Sequence, residues 1–133
     1  MAITRFEDLQ IWKDSRVLNK NVYSLTSGSK FQFDRNLISQ IRRASVSVMS
    51  NIAEGFERNS LNDFIRFLRM SKGSCGEIRS IVYVFKDLSL IDDEVYSKIN
   101  LECINVSTLI ANYIKYLKNY DEKANRKNFK KSS

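Results

Sequence analysis

Apolar residues recur along this chain at intervals of three and four, the spacing that puts side chains on one face of an α-helix. Four segments carry the pattern. The first runs from about Phe6 to Thr26, with Ile11, Ser15, Leu18, Val22 and Leu25 facing inward and Trp12 alongside. Thr4 and Glu7 have the spacing of a capping box, Asp8 favours a helix start, and Ser27-Gly28-Ser29 ends the segment. The second runs from about Asp34, an N-cap residue, to Gly55, a residue type that terminates helices. Its inward set is Leu37, Ile41, Ala44, Val48, Ile52 and Gly55. The third follows Ser60, another cap, with Phe64, Leu68, Ser71, Cys75, Ile78, Val82 and Phe85 inward, and ends near Ser89. The fourth follows Asp92, with Val95, Ile99, Cys103, Val106, Ile110, Tyr113 and Leu117 inward.

These sets mirror one another. Read antiparallel, Phe64 falls opposite Leu117, Leu68 opposite Tyr113, Cys75 opposite Val106 and Val82 opposite Ile99, which centres a turn on Leu90-Ile91. In the first half Leu25 falls opposite Leu37, Leu18 opposite Ala44 and Ile11 opposite Ile52, centring a turn on Phe31. Two helical hairpins whose heptads match in this way predict an all-α, antiparallel up-down four-helix bundle. A single domain over residues 1–120 is expected, with a basic, disordered tail over 121–133 carrying Lys127, Lys130 and Lys131.

Composition narrows the chemistry. The chain has 133 residues, no proline and only four glycines, which suits long helices joined by few loops. It has no histidine, which removes the commonest general base and transition-metal ligand. Its two cysteines, Cys75 and Cys103, form no CxxC pair and lie in adjacent core layers, so they read as core thiols. No catalytic residue, metal site or cofactor is expected. Carboxylates, lysine and cysteine remain for a reaction, with Glu54 and Glu77 the obvious carboxylates, and Glu54 has Arg58 four residues on, the spacing of a helix ion pair. No apolar run long enough to span a membrane and no signal-peptide pattern is present, and a cytoplasmic location is expected. The net charge of +7 attracts polyanions.

The second segment also carries a polar stripe of Arg43, Ser47, Asn51, Glu54 and Arg58. This is either a functional surface, subunit glue or a solvated edge. Asn51 and Glu54 border the core, where they can bond a neighbouring helix. Arg43 stands about 16 Å up the axis from Glu54, so its partner must come from another helix or subunit. Gly73 and Ser74, in the small-residue run Ser71-Lys72-Gly73-Ser74-Cys75-Gly76, suggest close packing within the bundle or against another subunit. Walker spacing is absent.

Phe6-Glu7-Asp8-Leu9 with Ile11-Trp12, Gln40-Ile41-Arg42-Arg43-Ala44, Asn51-Ile52-Ala53-Glu54-Gly55, Phe64-Ile65-Arg66-Phe67-Leu68 and Gly73-Ser74 follow in order over residues 6 to 90. Together they resemble the four-helix-bundle proteins encoded by intervening sequences of bacterial 23S rRNA genes, which are related to the accessory variability proteins of diversity-generating retroelements. The resemblance implies a homopentamer without catalytic activity that binds nucleic acid or a nucleic-acid enzyme. Such proteins usually carry proline before the second helix, often another where Met49 stands, and often glycine at the position of Glu57. Without these, the second helix here should be straighter and the following turn altered.

Two functions follow. The first is nucleic-acid binding of low sequence specificity by a basic oligomer, with Arg42, Arg43, Arg58, Arg66, Arg69, Lys72 and the tail lysines as contacts and Arg42 pointing away from the core. The second is an adaptor module that docks another protein.

Overall fold

The computed structural model describes the backbone of residues 2–132 and the side chains of residues 2–121. Four helices, α1 (Gln10–Thr26), α2 (Arg35–Glu57), α3 (Leu61–Asp87) and α4 (Asp93–Ser132), form an antiparallel bundle in which each helix packs on its two neighbours in the order α1, α2, α3, α4 and back to α1. The tail expected at 121–133 falls mainly on residues 122–133, whose side chains lie outside the described residues.

Local chemistry sets most helix starts. Asp34 Oδ1 accepts from Leu37 N–H at 3.0 Å, Ser60 Oγ from Asp63 N–H at 3.4 Å and Asp92 Oδ1 from Val95 N–H at 2.8 Å. The Thr4–Glu7 box does not form. A single 3-10 turn, Phe6–Asp8, precedes α1, and the first helix begins only at Gln10 with no side-chain cap. Glu7 pairs with Arg5 at 2.9 Å instead, and Phe6 packs edge-on against Trp12. Aromatic packing outcompetes the cap there.

The core follows the expected seams and exceeds them. Thr26, Ile38, Ile65, Phe67, Ile81 and Ile114 are buried beyond the heptad sets, while Leu25, Leu37, Val95 and Tyr113 are only half-buried. A helix with two neighbours buries a wider stripe than a two-stranded seam does. Phe31, in the α1–α2 link, turns inward and meets Phe85 edge-to-face at 4.9 Å, closing one end of the bundle. Phe56, Phe64 and Tyr113 stack in succession at the other.

Gly55 does not terminate α2, which continues to Glu57. It marks the closest approach of two helices. A β-carbon there would stand 2.6 Å from Phe67 Cβ and 3.1 Å from the Phe64 ring. Gly73 and Gly76 show the reverse: they are exposed, with open space where a β-carbon would sit. Packing within the bundle is therefore not their role. Helix α2 runs unbroken through Met49.

Every seam of the ring also holds a polar tie. Ser45 donates to Asn19 Oδ1 between α1 and α2 (2.8 Å), in the register that sets Ala44 opposite Leu18. Buried Ser71 donates to the Val48 carbonyl between α2 and α3, with the Ser47 and Ser74 hydroxyls 2.9 Å apart nearby. Arg79 donates to Asn100 Oδ1 between α3 and α4 (3.1 Å), and Asn21 to both carboxylate oxygens of Glu102 between α1 and α4 (2.8 and 3.0 Å). Among the described residues no buried side-chain nitrogen or oxygen lacks a hydrogen-bond partner.

Candidate nucleic-acid interface

Arg42 and Arg43 lie toward one end of α2 and Arg58 at the other, Arg42 and Arg58 standing about 24 Å apart along its axis. At the α2–α3 corner the cations are already engaged. Arg58 pairs with Glu54 at 3.3 Å and Arg66 with Asp63 at 3.5 Å, and both guanidinium groups lie over the Phe67 ring, at 5.0 and 4.7 Å. Arg69 and Lys72 are exposed on α3 and, among the described residues, make no ion pair. Lys127, Lys130 and Lys131 lie outside the described side chains.

The polar stripe of α2 resolves into separate parts. Asn51 donates to the Ser47 carbonyl and hydroxyl, both at 2.9 Å, and Ser47 meets Ser74 of α3. Ser47, Asn51 and Ser74 are thus an interhelical clasp. Glu54 belongs to the exposed pair with Arg58. Arg43 is exposed and finds no partner among the described residues of its own chain.

At the other end, α2 and the end of α1 enclose a groove lined by Tyr23, Gln32, Arg35, Ser39, Arg42 and Arg43. Arg35, Ser39, Arg42 and Arg43 recur at helical spacing on one side of α2, over about 12 Å. Arg42 does not point freely outward, as helical angle alone suggests. It is half-buried: its Nε donates to Thr26 Oγ1 at 2.9 Å, and its guanidinium lies over the Tyr23 ring at 4.6 Å. Buried Thr26 in turn donates to the Val22 carbonyl at 2.9 Å. This relay holds the guanidinium at the groove wall, and among the described residues its terminal nitrogens donate to no protein acceptor.

No carboxylate lines this groove, and among the described residues none lies within ion-pair reach of Arg35, Arg42 or Arg43. The first turn of α2 has no acidic residue; its carboxylate stands one place earlier, at the N-cap Asp34, whose Oδ1 accepts from the Leu37 N–H. The dipole at this helix end is already met by the Asp34 carboxylate, so the pull of the groove on an anion rests on its arginines. Three unneutralised guanidinium groups on one wall suit phosphate oxygens, which arginine binds with paired N–H donors. The residues that complete the groove, Arg35 with Tyr23, Gln32 and Ser39, were missed by sequence reasoning. The spacing of 35, 39, 42 and 43 was the available signal; the approach of the α1 end was not.

The chemistry elsewhere is quiet. Burial pushes the Cys75 thiol up to about 11, with nearby Lys72 pulling slightly the other way. Burial, then Cys75 and Glu102, push Cys103 up to about 12. Both cysteines are free and buried. Among the described residues no group of three or more histidine, cysteine, aspartate or glutamate side chains could hold a metal ion, and no helix is long and apolar enough to cross a membrane.

The family model described as 23S rRNA-intervening sequence protein matches residues 7–112. The chain belongs to the 23S rRNA-intervening sequence protein family. A crystal structure of a protein of unknown function from the S23 ribosomal protein family of Bacteroides thetaiotaomicron is similar in fold, with a TM-score of 0.72 and 22% identity. The match covers 79% of this chain and 98% of that one. No curated protein matches the chain. For this 23S rRNA-intervening sequence protein the family match runs from the turn before α1 to within α4, and so takes in the whole arginine groove.

Proposed function

We propose that this protein is a non-catalytic nucleic-acid-binding module that grips the phosphate backbone with little sequence specificity. The observation that carries this reading is the groove whose Arg35, Arg42 and Arg43 have, among the described residues, no carboxylate within ion-pair reach. The +7 net charge supports it by steering a polyanion to the surface. Self-assembly, which the resemblance implies as five copies, would repeat the groove and raise avidity. Arg69, Lys72 and the tail lysines supply auxiliary contacts. A cytoplasmic location belongs to the same reading.

Fluorescence anisotropy on labelled RNA and DNA oligonucleotides across 50 to 200 mM salt tests it. Three phosphate contacts on a single strand give a log–log salt slope of about −2 or steeper, and R35Q/R43Q makes it shallower by about 1.4. Undetectable binding to RNA and DNA at low salt sinks the reading.

A protein-docking adaptor is the second reading. Leu101, Leu109, Tyr116 and Tyr120 favour it: all are exposed, and they share one side of α4 within an arc of about 100°. Capture of a partner that survives nuclease treatment would support it.

A further inference from the structure

We propose that the arginine groove selects single-stranded nucleic acid over duplex, an inference that rests on the nucleic-acid reading above. The observation that leads to it is aromatic surface set beside the phosphate-binding wall. Tyr23, 40% exposed, lines the groove with one face of its ring under the Arg42 guanidinium. Phe33 follows Gln32 of the groove lining directly, so its Cα lies about 4 Å from that of Gln32. At 68% exposure it is the most exposed large apolar side chain among the described residues.

The link between α1 and α2 treats its two phenylalanines in opposite ways. Phe31 is sealed against Phe85 at 5% exposure, and Phe33, two residues on, is left in water. Closing the bundle end uses the first and has no use for the second. An exposed phenyl ring is costly in water, and one standing beside a basic groove has a natural occupant, the face of an unpaired base. In a duplex those faces are covered by neighbouring base pairs, so Phe33 has nothing to stack on. The groove also offers no projecting helix or ribbon that could enter the major groove of a duplex. Arginines on one wall and an exposed phenylalanine next in the chain to its lining together match an unpaired strand, phosphates to the first and bases to the second.

The test uses the full chain and four probes: a 12-nucleotide single strand and the corresponding 12-base-pair duplex, each as RNA and as DNA, followed by anisotropy at about 100 mM salt. The expected result is at least about fivefold tighter binding of the single strand with one or both sugars. Phe33→Ala lowers single-strand affinity about five- to a hundredfold, leaves the salt slope and duplex affinity unchanged, and Phe33→Trp restores it. Phe33 is exposed, so thermal unfolding of these variants should match the parent. Equal or tighter duplex binding with both sugars overturns the proposal, as does an equal loss for strand and duplex in Phe33→Ala. Absence of all binding at low salt removes the underlying nucleic-acid reading instead.

Discussion

Gly55 illustrates how much one hydrogen atom in place of a methyl group decides. Alanine is favoured over glycine in a helix interior by about 1 kcal/mol, yet at this position the added carbon meets Phe67 Cβ at 2.6 Å. Overpacking of this kind costs about 1–3 kcal/mol. Gly55→Ala is therefore expected to lower the denaturant midpoint, and a raised midpoint would show that α3 yields. Gly73→Ala and Gly76→Ala, facing open space, should each stabilise the isolated chain by about 0.5–1 kcal/mol; if they also reduce native oligomer mass, the glycine face is covered by another copy. The two thiols give a pH signature. Each ionises in the unfolded chain near 9.0 and in the fold at about 11 and 12, so the fold holds these protons more tightly. Their contribution is complete below pH 9 and declines as pH rises above it toward the folded-state values. Denaturant titrations at pH 8 and 10 should show the loss, and C75A/C103A should flatten it.

Helix starts were legible wherever a short polar side chain sits next to the backbone it caps, as at Asp34, Ser60 and Asp92. They were illegible at Thr4, where Phe6 meets Trp12 across a turn that no local pattern encodes. The pairing of helices was legible because the heptads mirror, and Ser45 meeting Asn19 shows that register at the level of atoms. The groove was only half legible. Arg42 and Arg43 stood out in the chain, whereas the Tyr23 and Thr26 contacts that hold Arg42 depend on where α1 stops relative to α2. The exit of α3 shows an element ended by an uncommon residue. Ser89 takes φ 59° while Leu90 N–H bonds the Phe85 carbonyl at 2.9 Å and Ser89 N–H that of Lys86 at 3.0 Å, the two bonds of a Schellman close. Glycine normally fills that place, since a β-carbon costs about 1–2 kcal/mol in the left-handed region. Ser89→Gly should raise stability by about 1 kcal/mol, read as a rise of a few degrees in thermal midpoint; an unchanged midpoint would place that cost elsewhere.

At the scale of the whole molecule, Arg58 and Arg66 are paired and stacked at the α2–α3 corner, whereas among the described residues Arg35, Arg42 and Arg43 at the α1–α2 end make no ion pair. R35Q/R43Q should accordingly leave unfolding free energy within about 0.5 kcal/mol of the parent. R58Q/R66Q should lower it by more, since each of these arginines also covers Phe67. Chemical denaturation of the two variants side by side separates them, and equal losses would contradict the division. The polar ties across the four seams settle a choice that apolar patterning leaves open. Four amphipathic helices in this order can wind round their common axis clockwise or anticlockwise, and the buried stripes are served nearly as well either way. On α1, Asn19 stands on the flank toward α2 and Asn21 on the flank toward α4. Reversing the winding exchanges those flanks, parts Asn21 from Glu102, and takes Ser71 away from the Val48 carbonyl. Each group stranded in this way costs about 1–3 kcal/mol. The chirality of the bundle is thus written in a handful of polar ties as well as in its apolar core.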